Sequence, residues 1–174
     1  MNKSVRKSII GVLKEEEQLH ARRSTNTSRD MEYVLLCNDI GILLKTLDDC
    51  NNALEMFNKC LALREKVLGK EYPSTADSYN NIGAVMTAMG DNAGALEMHN
   101  KALVIREKVL CKEHPSTAAS YNNIGAVMWD LGDNDVGALE MHNKALAIRE
   151  KVLGKEHPDT IRSYNAVALI KFVF

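Results

Sequence analysis

The side chains whose type and spacing suit chemistry in this sequence are amides. Asn80-Asn81 and Asn122-Asn123 form two adjacent pairs, 42 residues apart, each following Ser-Tyr. An asparagine amide offers both a donor and an acceptor, the complement of a peptide group. Adjacent asparagines are mediocre helix formers, so something other than propensity favours them. Two readings stand side by side: a ladder facing a bound peptide, or contacts that tie neighbouring backbone and adjacent repeats together. Trp129 is the only tryptophan and replaces Thr87 of the preceding copy. It falls a turn and a half after Asn123, roughly on the same face. It reads either as an aromatic anchor for a ligand side chain or as packing against the next repeat. Asp77, Asp130 and Arg162 are expected to edge the same surface.

Other chemistries lack their residues. The five histidines are His20, His99, His114, His142 and His157. Phe57 stands where His99 and His142 stand in later copies, and Tyr72 stands where His114 and His157 stand. Exchange with aromatics predicts a size-and-shape role at helix interfaces. There is no His-Glu-x-x-His and no Cys/His cluster with zinc spacing, so no metal is expected. Phosphate-cradling glycine loops and a Gly-x-Ser-x-Gly elbow are also missing, and no cofactor is expected. A catalytic site is a unique constellation, whereas near-identical repeats offer the same residues several times. That multiplicity favours an extended ligand and a non-catalytic chain.

The elements that must position these amides are repeated helix pairs. Ala-Leu-Glu-Met recurs at Ala53, Ala95 and Ala138, and the three prolines, Pro73, Pro115 and Pro158, are spaced by 42 and 43. Between 53–92 and 95–134 only 10 of 40 positions differ, which reads as a recent duplication. The extra residue lies between Gly132 and Ala138. The first helix of a pair is expected from about Pro115 to Leu131, with proline in its first turn. Ser74, Ser116 and Asp159 follow the prolines with cap-competent side chains. Tyr121, Ile124, Gly125 and Met128 share one face, and Gly90 and Gly132 stop their helices. The second helix is expected from about Gly94 to Leu110, with Ala95, Met98, His99, Ala102, Ile105 and Val109 inward. Glu55/Lys59, Glu97/Lys101 and Glu140/Lys144 are i,i+4 pairs on its solvated side. Mid-helix Gly83 and Gly125 cost about 1 kcal/mol each against alanine, so a neighbouring helix should cross close by. Met56, Met86, Met98, Met128 and Met141 read as core filler.

An eroded copy precedes these, with Asp39-Ile40-Gly41 aligned to Asn81-Ile82-Gly83. Its first helix is expected over about Arg29 to Leu47, followed by a turn from Asp48 to Asn52. Residues 1–28 are expected to form an N-terminal helix or cap, over Lys3 to Arg22, and a polar loop from Ser24 to Arg29. Residues 29–174 are expected to hold the array: about three helix pairs plus a terminal unpaired helix, about eight helices in all. The last helix begins at Ser163-Tyr164-Asn165 and runs into Phe172, Val173 and Phe174, an apolar edge. It is an imperfect cap, a docking surface, or the end of a piece of a longer array, and these alternatives stay open.

Helix pairs with small residues at these places resemble tetratricopeptide repeats. The 42-residue period and the phrase Ala102-Leu103-Val104-Ile105-Arg106-Glu107-Lys108-Val109-Leu110-Cys111-Lys112-Glu113-His114-Pro115-Ser116-Thr117 resemble the kinesin light chain variety. The phrase recurs from Ala145 to Thr160 and from Cys60 to Thr75. The resemblance implies an all-α fold, an open right-handed solenoid of antiparallel helix pairs whose first helices line a groove for extended peptides. It also implies that Asn81 and Asn123 hold the peptide backbone. Asp39 and Ala166 occupy that position in the outer copies, and no heptad segment for joining a motor heavy chain is present.

Composition narrows the partner. With 22 Lys+Arg and 23 Asp+Glu the net charge is −1, which speaks against nucleic acid and anionic membranes. No apolar run has the length of a membrane span, and the stretch from Ser8 to Leu13 is short for a signal peptide. Cys37, Cys50, Cys60 and Cys111 are scattered and are expected as buried, reduced thiols of a cytoplasmic protein. The expected function is a protein-interaction module that binds a peptide segment of a partner in a concave groove. The alternative is a truncated piece of a larger repeat scaffold or sensor that self-associates through Phe172 and Phe174.

Overall fold

Proline fixes the start of a helix and a left-handed residue fixes its end, and both signals recur down this chain. The computed structural model describes residues 8, 11, 12, 15, 18, 27–132 and 135–173. From residue 27 onward the described chain is all-α, with seven helices. These are α1 (Thr27–Thr46), α2 (Cys50–Val67), α3 (Pro73–Ala88), α4 (Asn92–Val109), α5 (Pro115–Leu131), α6 (Asp135–Leu153) and α7 (Pro158–Val173). Consecutive helices pair antiparallel as α1/α2, α3/α4 and α5/α6, and α7 packs on α6. Contacts divide the chain into two compact units, Met1–Gly69 and Lys70–Phe174.

In the first unit α1 and α2 pack through Tyr33, Val34, Cys37 and Cys60. The turn between them is shorter than expected. Asp48 adopts φ 57°, the left-handed conformation that Gly90 (φ 81°) and Gly132 (φ 70°) supply in the later copies. Asp49 then serves as N-cap, so α2 begins at Cys50 inside the expected turn. Thr27, Ser28 and Arg29, expected in a loop, belong to α1. Most of the expected N-terminal helix, His20 and Phe174 lie outside the described residues.

The mid-helix glycines do admit a crossing helix. A Cβ on Gly41 would lie 2.7 Å from the Phe57 ring, one on Gly83 2.8 Å from His99, and one on Gly125 2.9 Å from His142. Each ring therefore rests against the backbone of its own partner helix, with Phe57, His99 and His142 at equivalent positions. The shape role expected for His99 and His142 is what the structure shows.

For His114 and His157 it is not. His114 is the N-cap of α5, and its Nδ1 accepts a hydrogen bond from the Ser116 amide at 3.1 Å. His157 does the same for the Asp159 amide at 3.1 Å. Ser116 and Asp159 are thus inside their helices and capped, not capping. Two further expectations are corrected. Val109 is exposed while Arg106 is buried on the same helix, and of the cysteines only Cys37 and Cys60 are buried, with Cys50 half-buried and Cys111 exposed.

Candidate functional site

The asparagines come together across two repeats of the second unit. Asn123 on α5 donates from Nδ2 to Oδ1 of Asn80 on α3 at 2.9 Å. The two first helices are thereby bridged by amides, with both side chains half-buried. The repeat-tying alternative therefore holds for this pair. It does not exhaust the groups: Asn123 keeps its Oδ1 and one N–H, and Asn80 keeps its NH2. Asn81 and Asn122 are also half-buried. The register that joins Asn80 to Asn123 would join Asn122 to position 166. Ala166 has no amide, so the bridge cannot repeat between α5 and α7. In the first unit Asp39 is exposed and accepts from its neighbour Asn38 at 3.3 Å.

Helix geometry moves Trp129. Six residues at about 100° each leave it roughly 120° around α5 from Asn123. It stands instead above Asn122, seven residues and nearly two turns back, with Ala126 between them. Asn123 is followed on its own line by Ala126 and Asp130. Trp129 is half-buried and Asp130 exposed. Asp77 is not a free groove edge, because its Oδ1 receives Arg106 Nη2 at 2.8 Å. Arg162 is exposed and bonds Asp159 on its own helix at 2.9 Å.

Two arginines to which the sequence alone assigned no role hold the pairs together. Arg106 on α4 donates from Nη1 to the Ser116 carbonyl at 3.0 Å and to Ser120 Oγ at 2.8 Å, both on α5. With Nη2 on Asp77 it fastens α3, α4 and α5. Arg149 repeats this from α6, reaching the Asp159 carbonyl at 3.2 Å and Ser163 Oγ at 2.6 Å on α7. Each arginine falls four residues after a buried alanine, Ala102 or Ala145, on the inward line of its helix. That offset, together with the recurring Ser120 and Ser163, was a legible signal.

Tyrosines of the first helices are held from two sides. Tyr121 donates its hydroxyl to Glu107, and Lys144 lies 5.6 Å from its ring centroid. Burial, then the hydrogen bond to Glu107 and its charge, pushes the Tyr121 pKa up to about 12. Lys101 lies 5.7 Å over Tyr79 in the same way. The three expected i,i+4 pairs form at 2.8, 2.6 and 2.7 Å.

Two open grooves run along the second helices. One of about 540 Å³ is lined by Tyr79, Lys101, Val104 and Ile105 among others. The other, about 530 Å³, is lined by Val136, Leu139, Asn143 and Ala147 with Glu140 and Lys144. Neither contains an asparagine of the Ser-Tyr-Asn phrases or Trp129. Among the described residues, no group of three His, Cys, Asp or Glu could hold a metal. No described helix is long and apolar enough to cross a membrane.

Comparison with known proteins agrees with this architecture. Tetratricopeptide repeat profiles match residues 32–108 and 79–136, and another matches 117–159. The chain belongs to the tetratricopeptide repeat family. Among solved structures it is similar to BtubC (BKLC) from P. vanneervenii, with a TM-score of 0.74 at 20% identity over 95% of this chain and 68% of that one. A kinesin light chain with nearly identical TPR-like repeats from Podospora anserina gives a TM-score of 0.75 at 24% identity, over 98% of this chain and 79% of the other. The N-terminal domain of stress-induced protein-1 from C. elegans gives 0.58 at 16% identity, over 85% and 99%. At these identities the likeness establishes the fold, that of kinesin light chain-like repeat proteins. No curated protein sequence matches the chain.

Proposed function

We propose that this chain is a non-catalytic interaction module of the cytoplasm that binds an extended peptide segment of a partner protein along α3 and α5. The observation that supports it most directly is the Asn123–Asn80 hydrogen bond. It fixes two amides in place across adjacent repeats and still leaves three N–H donors and an acceptor for a peptide group. Preorientation of that kind lowers the ordering cost of binding. Membership in a repeat family whose domains generally bind proteins supports the same reading. The test is a lysate pull-down read by mass spectrometry, comparing the wild type with Asn80→Ala/Asn123→Ala. Clients lost with the variant, its helicity intact, support the groove. The same clients on both proteins would remove it.

A second reading is self-association through α7. Ile161, Asn165, Ala168 and Phe172 follow one helical line, and Phe172 is 89% exposed. This face is not built like the faces that accept a second helix in the earlier pairs. Ala168 stands at the position of Gly83 and Gly125, and Ile161 at that of Ala76 and Ala118. A ring at the depth of His99 would collide with the Ala168 methyl. A second copy, apolar face to apolar face, suits the surface better. Light scattering that shows mass rising with concentration, and falling back in Phe172→Ser, is the expected sign; a constant monomer mass removes this reading.

A further inference from the structure

The peptide-binding proposal leaves the chemistry of the ligand unspecified, and the charges of the two first helices supply it. Of the 22 lysines and arginines in the chain, none lies on α3 or α5. The charged residues of these helices are Asp77 and Asp130. Asp77 is neutralised by Arg106 at 2.8 Å. Asp130 is exposed and has no cationic partner among the described residues.

The spacing on α5 places Asp130 next to the aromatic residue of the patch. Asn122, Ala126 and Trp129 form one line, and Asn123, Ala126 and Asp130 form the adjacent one. Ala126 belongs to both. By helical spacing its short side chain lies between the line that carries Trp129 and the line that carries Asp130, about one turn beyond the two amides. On α3 the equivalent positions are Thr87 and Ala88, so this combination belongs to α5.

The chain already holds lysines between a ring and a carboxylate, there with the two groups supplied by neighbouring helices. Lys101 lies over the Tyr79 ring at 5.7 Å while bonding Glu97 at 2.6 Å. Lys144 lies over Tyr121 at 5.6 Å while bonding Glu140 at 2.7 Å. A cation held between a π face and a carboxylate gains from both. We infer that the α3–α5 face takes a peptide segment carrying a lysine or arginine, whose cation sits between Trp129 and Asp130 while the asparagine amides hold the peptide backbone. An acidic segment would meet Asp130 and find no cation on either helix, so charge excludes it.

This inference rests on the peptide-binding reading, and one experiment separates the two. A displayed library of random linear peptides is selected against the full chain, and enriched peptides are measured by fluorescence anisotropy. Enrichment of one basic position is expected. Asp130→Lys, at an exposed position that tolerates change, should weaken a selected peptide roughly tenfold and shift a repeated selection toward an acidic residue. Trp129→Leu should weaken it severalfold. If the enriched peptides lack a basic residue, or Asp130→Lys leaves their affinity unchanged while Asn80→Ala/Asn123→Ala abolishes it, the cation inference falls and the groove stands. If no peptide is enriched, or the double alanine variant binds as well as the wild type, both fall.

Discussion

Single residues set the sharpest energetic differences between near-identical copies. Cys111 occupies the left-handed position after α4 at φ 84°, where the sister copies have Gly69 (φ 95°) and Gly154 (φ 84°). A side chain there clashes with the backbone, a cost of about 1–2 kcal/mol that glycine avoids, partly offset by its greater unfolded-state freedom. Cys111→Gly is therefore expected to stabilise the protein by about 1 kcal/mol in urea unfolding; a loss of stability would show that the thiol contributes more than its backbone costs. His142 carries a second prediction. Burial, reinforced by the charge of Arg149, lowers its pKa from 6.5, and its Nδ1 is buried without a hydrogen-bond partner. The unfolded chain then takes up a proton at a pH where the folded chain refuses it. Stability should hold above pH 6.5, fall as pH drops below that value, and level off below the folded pKa. Phe57 already fills the equivalent place against Gly41, so His142→Phe should flatten this acid slope and retain the fold. Melting temperatures at several pH values check it, and an undiminished slope would assign the acid sensitivity elsewhere. The ring-on-glycine contact was legible because Phe57, His99 and His142 exchange at one position above a glycine. The capping role of His114 was not, because Tyr72 stands in its place yet makes no side-chain cap, and exchange alone cannot tell a ring that fills space from one whose Nδ1 accepts a bond.

At the scale of the element, punctuation was easier to read than adhesion. Pro115 and Gly132 bracket α5 as expected because proline suits a first turn and glycine a left-handed end, both local effects. What joins one helix to the next is not local. The arginines sit in a phrase that also holds exposed Glu-Lys charge, and nothing in their type says that they turn inward. Arg106 does so because Ser120 and the Ser116 carbonyl lie within reach across the pair. Arg106→Ala should cost about 3 kcal/mol, through a cavity and buried polar groups left without partners. Ser120→Ala, which removes one of the bonds, should cost about 1 kcal/mol. Arg106→Lys should recover little, because an ammonium cannot span Ser116, Ser120 and Asp77 as the guanidinium fork does. Equal stability of the lysine and arginine proteins in denaturant titrations would reduce this fastening to simple charge. The amides follow the same rule: their pairing in sequence was visible, but that Asn80 bonds Asn123 and not Asn122 depends on how α3 and α5 lie side by side.

For the molecule as a whole, stability in a repeat array is close to a sum of unit and nearest-neighbour terms, so a helix covered on fewer sides opens more readily. Within the second unit α5 is packed by both α4 and α6, whereas α7 is packed by α6. Arg149 and Ser163 fasten the inner side of α7, and its outer line from Ile161 to Phe172 faces solvent. Backbone amides of α7 should thus exchange with deuterium faster than those of α5, by roughly tenfold or more at low protein concentration. If the protein self-associates through this face, raising the concentration should slow exchange in α7 and leave α5 unchanged, because only α7 gains a neighbour. Exchange in α7 that is as slow as in α5 even at high dilution would mean that the inner contacts with α6 alone suffice to hold it. The apolar line from Ile161 to Phe172 would then be a passive face of α7, and self-association would lose the surface that recommends it.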